Sequence, residues 1–313
     1  MISNTVIIGI VLALLVSILF PAGCIVYCFR KIRIRGMISF LIMGFAVVMI
    51  ANNLSSLFSS MLPMNNIMNS SFVIYMILMA GIIGAFDLLG RYFSISYVKK
   101  SGLGLYKGLS LGVGFAVGQV MLQASYFYQL LTHARMINEG TFYDTMISQQ
   151  GNTAEAINQY QEIFLTLHKA TYFVRAIEQA TLVLLNITLV LILVKYVMDN
   201  KAVIGAAVVG GIRIVYEFLR LLTYYLNSDY MNHAVSESVA LILNVVVNIL
   251  VLVGCIICIF KLMKLIPIEK NIAMVKKSLP ENKAHNEVNE KKVWQELKLI
   301  NSRTDDSKEE SKE

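Results

Sequence analysis

Histidine is scarce in this chain, with four residues among 313, at His133, His168, His233 and His285. None lies within a long apolar run. A catalytic zinc takes two or three imidazole or carboxylate ligands and keeps an open position, so a His-ligated metal buried in such a run is not expected. Cysteine is equally rare. Cys24 and Cys28 lie near the end of the first apolar run, and Cys255 and Cys258 near the end of the last. A four-thiolate site or a disulfide would require those ends to meet, and packing as a small apolar residue is the commoner use of buried cysteine. Charged residues make up only 15% of the chain. A Gly-rich phosphate loop, G-x-S-x-G and H-E-x-x-H are all missing, and with them the signatures of three large enzyme groups.

What the chain has in quantity is apolar length. Hydrophobic residues are 57% of it and the mean hydropathy is +0.64, values that belong to a polytopic membrane protein rather than a soluble domain. Seven runs can span a bilayer: about 4–29, 37–61, 72–98, 103–131, 172–198, 202–226 and 235–263. Several exceed the roughly 20 residues that a 30 Å hydrocarbon core needs, which implies tilt or extension past the headgroups. The sequence therefore predicts an all-α, polytopic membrane helix bundle of about seven transmembrane helices.

Basic residues orient it. Arg30, Lys31, Arg33 and Arg35 follow span 1, Lys99, Lys100 and Lys107 separate spans 3 and 4, Lys195 and Lys201 bracket the turn after span 5, and Lys261, Lys264 and Lys270 follow span 7. The alternate loops 62–71 and 227–234 carry no Lys or Arg, and the long loop 132–171 has only Arg135 and Lys169. This bias predicts an outside N-terminus and a cytoplasmic C-terminus. No basic segment precedes span 1, and Pro21-Ala22-Gly23-Cys24 only faintly matches a lipobox, so span 1 is expected to be retained. Pro21 should bend it.

Two regions are expected, a transmembrane domain over 1–264 and a charged cytoplasmic tail over 265–313. The tail holds ten of the 27 basic and ten of the 20 acidic residues, so the whole +7 belongs to the membrane part. The basic balance thus reports topology and anionic lipid, not nucleic acid. Val293, Trp294, Leu297 and Ile300 predict a short amphipathic helix over about 284–300, with disorder beyond it. In the outside loop, Asn152 followed by Glu155 reads as a capping box. Ile157, Tyr160, Phe164 and Leu167 then form an apolar stripe, so a short helix should cover the bundle as a lid or meet a substrate there. Gly104, Gly108, Gly112, Gly114 and Gly118 let a neighbouring backbone, that of span 3 or another helix, approach span 4 closely.

Charges inside the spans are the candidate functional residues, because one at mid-bilayer costs about 2.5–3.5 kcal/mol and is retained only with a partner or a purpose. Span 3 holds Asp87 and Arg91, four apart on one helix face. Span 4 adds Gln119, and span 5 brings Arg175, Glu178, Gln179 and Asn186. Span 6 carries Arg213, Glu217 and Arg220 at spacings that line one face, and span 7 adds Glu237, Asn244 and Asn248. Three mid-span carboxylates therefore meet four guanidiniums. They form either ion pairs that lock the bundle or the lining of a wet cavity, and the surplus arginine favours an anionic ligand.

The region from span 3 to span 6 resembles the YhfC family of intramembrane metalloproteases, relatives of the CPBP (CAAX-protease-like) group. That family reads roughly E-E-x-x-R-Y in the third span, and this chain has Phe86-Asp87-Leu88-Leu89-Gly90-Arg91-Tyr92. The next motif, G-x-G-H-G-G-x-E, corresponds to Gly112-Val113-Gly114-Phe115-Ala116-Val117-Gly118-Gln119, with Phe115 at the histidine position and Gln119 at the glutamate position. A later histidine would fall near Leu182. The last motif, H-x-x-x-D, corresponds to Arg213-Ile214-Val215-Tyr216-Glu217. The resemblance implies the fold of these proteases and a site around Asp87, Arg91, Gln119, Arg213 and Glu217, while the substitutions imply that the metal ligands are lost.

The function expected is therefore that of a pseudo-protease in the plasma membrane. It needs no metal or other cofactor and binds a membrane peptide, lipid or partner membrane protein. Two alternatives are a metal-independent intramembrane peptidase using Asp87 and Glu217, which needs one acid with a raised pKa, and a small transporter or channel subunit. The candidate cavity or ion-pair residues are Asp87, Arg91, Gln119, Arg175, Glu178, Arg213 and Glu217.

Overall fold

The apolar runs fold as helices because lipid offers no partner for backbone N–H and C=O groups, which a helix satisfies within itself. The computed structural model describes residues 1–32, 37–99, 102–150, 153–166, 168–231 and 233–268. In order the helices are α1 (Asn4–Ile32), α2 (Met37–Met61), α3 (Met64–Ser70), α4 (Phe72–Lys99), α5 (Leu105–Glu139), α6 (Phe142–Gln150), α7 (Ala154–Thr166), α8 (Thr171–Met198), α9 (Ala202–Tyr225) and α10 (Glu237–Leu265). Seven of them (α1, α2, α4, α5, α8, α9 and α10) are long and apolar enough to cross a membrane. The chain is a multi-pass membrane protein, and residues such as Phe93, Val203, Leu250 and Phe260, each about two-thirds exposed or more, face the lipid. The tail helix expected over 284–300, Asn152 and Leu167 lie outside the described residues.

Helix α8 is the hub. It touches α1, α4, α5, α9 and α10, while around it α1 packs on α5, α5 on α2, α2 on α4, α4 on α9, and α9 on α10. Burial follows this arrangement, and most of α8 is buried. A helix enclosed by protein is the one place in a bilayer where polar side chains can be kept away from lipid. Glu178, Gln179, Thr181, Asn186 and Thr188 of α8 are all buried.

The glycines of α5 form two rows. Gly112 lies so close to α8 that a Cβ there would sit 3.0 Å from Ile187 Cα, whereas Gly114 abuts α2, where a Cβ would sit 3.1 Å from Gly44 Cα. The close neighbours expected of this helix are thus α2 and α8. Pro21 lies inside α1, which continues through it. Cys24, Cys255 and Cys258 are free thiols packed in the main apolar cluster, and the Cys28 side chain lies outside the described residues.

At 35 residues, α5 is about 52 Å long at 1.5 Å per residue, well beyond a hydrocarbon core of about 30 Å. Its far end carries a second apolar core. Phe127, Leu130, Ala134 and Ile137 pack there with Ile2, Val6 and Ile10 of the N-terminal segment, Phe142 of α6, and Ile157 and Phe164 of α7. Gly140 ends α5 in the left-handed region, at φ 76°. Where a single short helix was expected, the loop folds as two, α6 and α7. Thr153 Oγ1 accepts from the Ala156 amide at 3.3 Å at the start of α7. Tyr160 in the same stripe meets His133 Nδ1 at 3.0 Å.

Candidate functional site

Asp87 projects from α4 one turn before Arg91, and the helix spacing alone brings them together. Arg91 Nε donates to Asp87 Oδ2 at 2.8 Å and Nη2 to Oδ1 at 2.9 Å. Arg91 is wholly buried and spends its remaining donors on α8, on the Asn186 carbonyl at 3.0 Å and on the Asn186 side chain. On α9, Arg213 Nη2 pairs with Glu217 Oε1 at 2.8 Å, and Arg220 Nη2 pairs with Glu217 Oε2 at 2.8 Å. On α8, Arg175 Nη1 pairs with Glu178 Oε2 at 2.7 Å.

Two contacts between helices join these local pairs into one line. Arg213 Nε lies 3.7 Å from Asp87 Oδ2, linking α9 to α4, and Arg220 Nη1 lies 3.2 Å from Glu178 Oε1, linking α9 to α8. The order is Arg91, Asp87, Arg213, Glu217, Arg220, Glu178, Arg175, with the sign alternating at every step. Both ends stop on an aromatic ring. The Arg91 guanidinium lies 4.6 Å from the centre of the Phe115 ring, and that of Arg175 lies 4.6 Å from the centre of the Tyr224 ring. A guanidinium over a ring face gains quadrupole attraction where no further carboxylate is present.

Alternation is what makes so many buried charges tolerable. Each carboxylate sits between two guanidiniums, so the Coulomb gain in a low dielectric offsets the desolvation of each ion. Four guanidiniums against three carboxylates leave one formal positive charge on the line. Arg213 is the loosest member, since among the described residues its Nη1 is buried without a hydrogen-bond partner and its Nε reaches Asp87 only at ion-pair distance.

Six of the seven sequence-predicted residues therefore meet in one line: Asp87, Arg91, Arg175, Glu178, Arg213 and Glu217. Gln119 takes no part in it, and its Oε1 is buried without a hydrogen-bond partner among the described residues. The residue that completes the line is Arg220, whose i, i+3 spacing to Glu217 was visible but whose bridge to Glu178 depends on how α9 is rotated against α8.

A polar seam continues beside the line. Tyr216 Oη donates to Asn248 Oδ1 at 3.1 Å, Asn248 Nδ2 to Asn244 Oδ1 at 2.7 Å, and Asn244 Nδ2 to Thr223 Oγ1 at 3.2 Å. It leads to a cavity of about 290 Å³ between the α6–α7 ends of α8, α9 and α10. Thr171, Arg175, Tyr224, Ser228, Glu237 and Asn244 are among the residues that line it. Of the seven residues expected at the site, Arg175 is the one that reaches this cavity. Asp87, Arg91, Arg213 and Glu217 are packed into the interior, at most 4% exposed.

The sequence model of the YhfC intramembrane metalloprotease family matches residues 16–240. No curated protein and no solved structure matches the chain. A metal of the kind this family name implies needs converging imidazole or carboxylate ligands. Among the described residues no three of His, Cys, Asp or Glu converge in that way. His133, His168 and His233 lie at or near the α6–α7 end of the bundle, and a cation placed beside the line would meet Arg91 and Arg213. The residues present do not fit such a metal.

Proposed function

We propose that this chain, which belongs to the YhfC intramembrane metalloprotease family, is a non-catalytic member that binds a membrane peptide, lipid or partner helix without cutting it. The observation that carries this reading is the alternating line of seven ions, which occupies α4, α8 and α9 with permanent charges. A metalloprotease needs ligands that donate lone pairs to a cation and a base that activates water. Guanidiniums do neither. The carboxylates are already engaged, since both oxygens of Asp87 accept from Arg91 and those of Glu217 pair with Arg213 and Arg220. This also argues against Asp87 and Glu217 working as a metal-free acid–base pair.

In this reading the ion line fixes α4, α8 and α9 to one another, and its surplus positive charge faces the cavity through Arg175. The loop bias in Lys and Arg supports an outer position for that cavity in the plasma membrane. Residues 1–264 carry the binding site, and residues 265–313 form a separate charged tail. The test is metal analysis of purified protein together with a peptide-cleavage assay in detergent and in liposomes. The expected result is no stoichiometric zinc and no cleavage above that of an Asp87→Asn variant. Stoichiometric zinc, or cleavage lost on Asp87→Asn, overturns the reading.

A further inference from the structure

The cavity at the α6–α7 ends of α8, α9 and α10 carries one group of each charge on its wall. Arg175 spends Nη1 on Glu178, which leaves Nε and Nη2 without a protein hydrogen bond among the described residues. Its side chain is 23% exposed, and the centre of the Tyr224 ring lies 4.6 Å from its guanidinium carbon, which together with the Glu178 pair restrains where the remaining donors lie. Glu237, in the first turn of α10, accepts from the His168 amide through Oε1 at 3.1 Å, which holds the carboxylate in place and leaves Oε2 without a hydrogen bond among the described residues. Thr171, Ser228 and Asn227 add hydroxyl and amide groups, and Val174, Ala240 and Leu241 form an apolar wall.

We infer that this cavity binds a small zwitterion, its carboxylate or phosphate on Arg175 and its ammonium on Glu237. A guanidinium with two free donors accepts an oxyanion in bidentate fashion, and a fixed carboxylate is the natural partner of an ammonium with N–H donors. A ligand with only one charge would engage one wall group and leave the remaining donors or acceptor of the other covered and unmatched, which is costly. A volume of about 290 Å³ is large enough for an amino acid or the headgroup of an aminophospholipid, and the two sources share this chemistry. The headgroup source rests on the lipid-binding reading above and the free amino acid goes beyond it, and the test reads binding alone, so either can fail without the other.

The experiment uses full-length protein in detergent with L-leucine, O-phosphoethanolamine, 4-methylpentanoate and isoamylamine, the last two being leucine without its ammonium and leucine without its carboxylate. A second arm compares thermal unfolding in nanodiscs of phosphatidylethanolamine with nanodiscs of phosphatidylcholine, whose quaternary ammonium has no N–H. Glu237→Gln is the diagnostic variant, because the amide oxygen still accepts from His168 while the charge is gone. The expected result is a Kd for a doubly charged probe at least ten-fold below that of either singly charged one, with the preference abolished by Glu237→Gln. That pattern for soluble probes assigns a free amino compound. No soluble binding, combined with a higher midpoint in phosphatidylethanolamine that Glu237→Gln removes, assigns a lipid headgroup. Equal affinity for singly and doubly charged probes overturns the inference. So does the absence of both soluble binding and a lipid effect.

Discussion

The two sides of this bundle are held together in opposite ways. Between α2, α5 and α8, glycines bring backbones into contact, and Gly112 and Gly114 leave no room for a Cβ without displacing Ile187 or α2. Between α4, α8 and α9, seven ionised side chains do the joining. In lipid there is little hydrophobic drive for helices to associate, so close packing and polar contact are the two means available. Close packing requires only small residues. Ion pairing carries a desolvation cost at each charge, which the alternation of sign along the line offsets. One side is thus joined by backbone contact and the other by paired charge, and the cavity lined by Arg175 opens beside the second.

The strongest way to break this comparison is to unbalance the ion line. Glu217→Ala leaves Arg213 and Arg220 facing each other across the gap, and a buried charge that loses its partner costs about 3–5 kcal/mol. A large fall in the thermal midpoint in detergent is expected. Replacing Arg213 and Glu217 together by leucine should be less damaging than Glu217→Ala, because the pair is removed with its desolvation cost. A double variant as unstable as the sum of its single variants would show that the pairing is not cooperative.

On the packing side, Gly114→Leu drives a side chain into Leu41 and Gly44 of α2, and overpacking of this kind typically costs about 1–3 kcal/mol. The α2–α5 contact should open, read as loss of disulfide cross-linking between cysteines introduced across it, while ligand affinity at the Arg175–Glu237 cavity stays unchanged. Loss of affinity would erase the distinction between the two sides. A smaller effect is expected from Phe115→Leu, which keeps an apolar residue and removes the ring under Arg91, a contact worth about 0.5–2 kcal/mol.

The smallest effect concerns the second core, which neither mechanism holds. Burial pushes the Tyr160 phenol from 10 up to about 12. Its neutral form is therefore favoured in the folded state, so its contribution is complete below pH 10 and lost as pH rises from 10 to 12. Limited proteolysis of the 140–170 segment should accelerate across that window. Tyr160→Phe, lacking the hydroxyl, should abolish the acceleration specific to this residue.

Much of this architecture was legible in one dimension. The seven spans follow from apolar length, and Arg91 on Asp87 and Glu217 between Arg213 and Arg220 follow from helix spacing, because hydropathy and i, i+4 geometry are local properties of the chain. The close packing around Gly112 and Gly114 was legible for the same reason, though not which helices pack there. Other features depended on how whole helices rotate about their axes and against one another. That rotation carried Arg220 across to Glu178, left Gln119 outside the line, and set Arg175 and Glu237 on one cavity wall from positions 62 residues apart. No local pattern encodes such a rotation. It is fixed by the shapes of all the helix faces packing at once, and so the partners of these charges were decided only when the bundle closed.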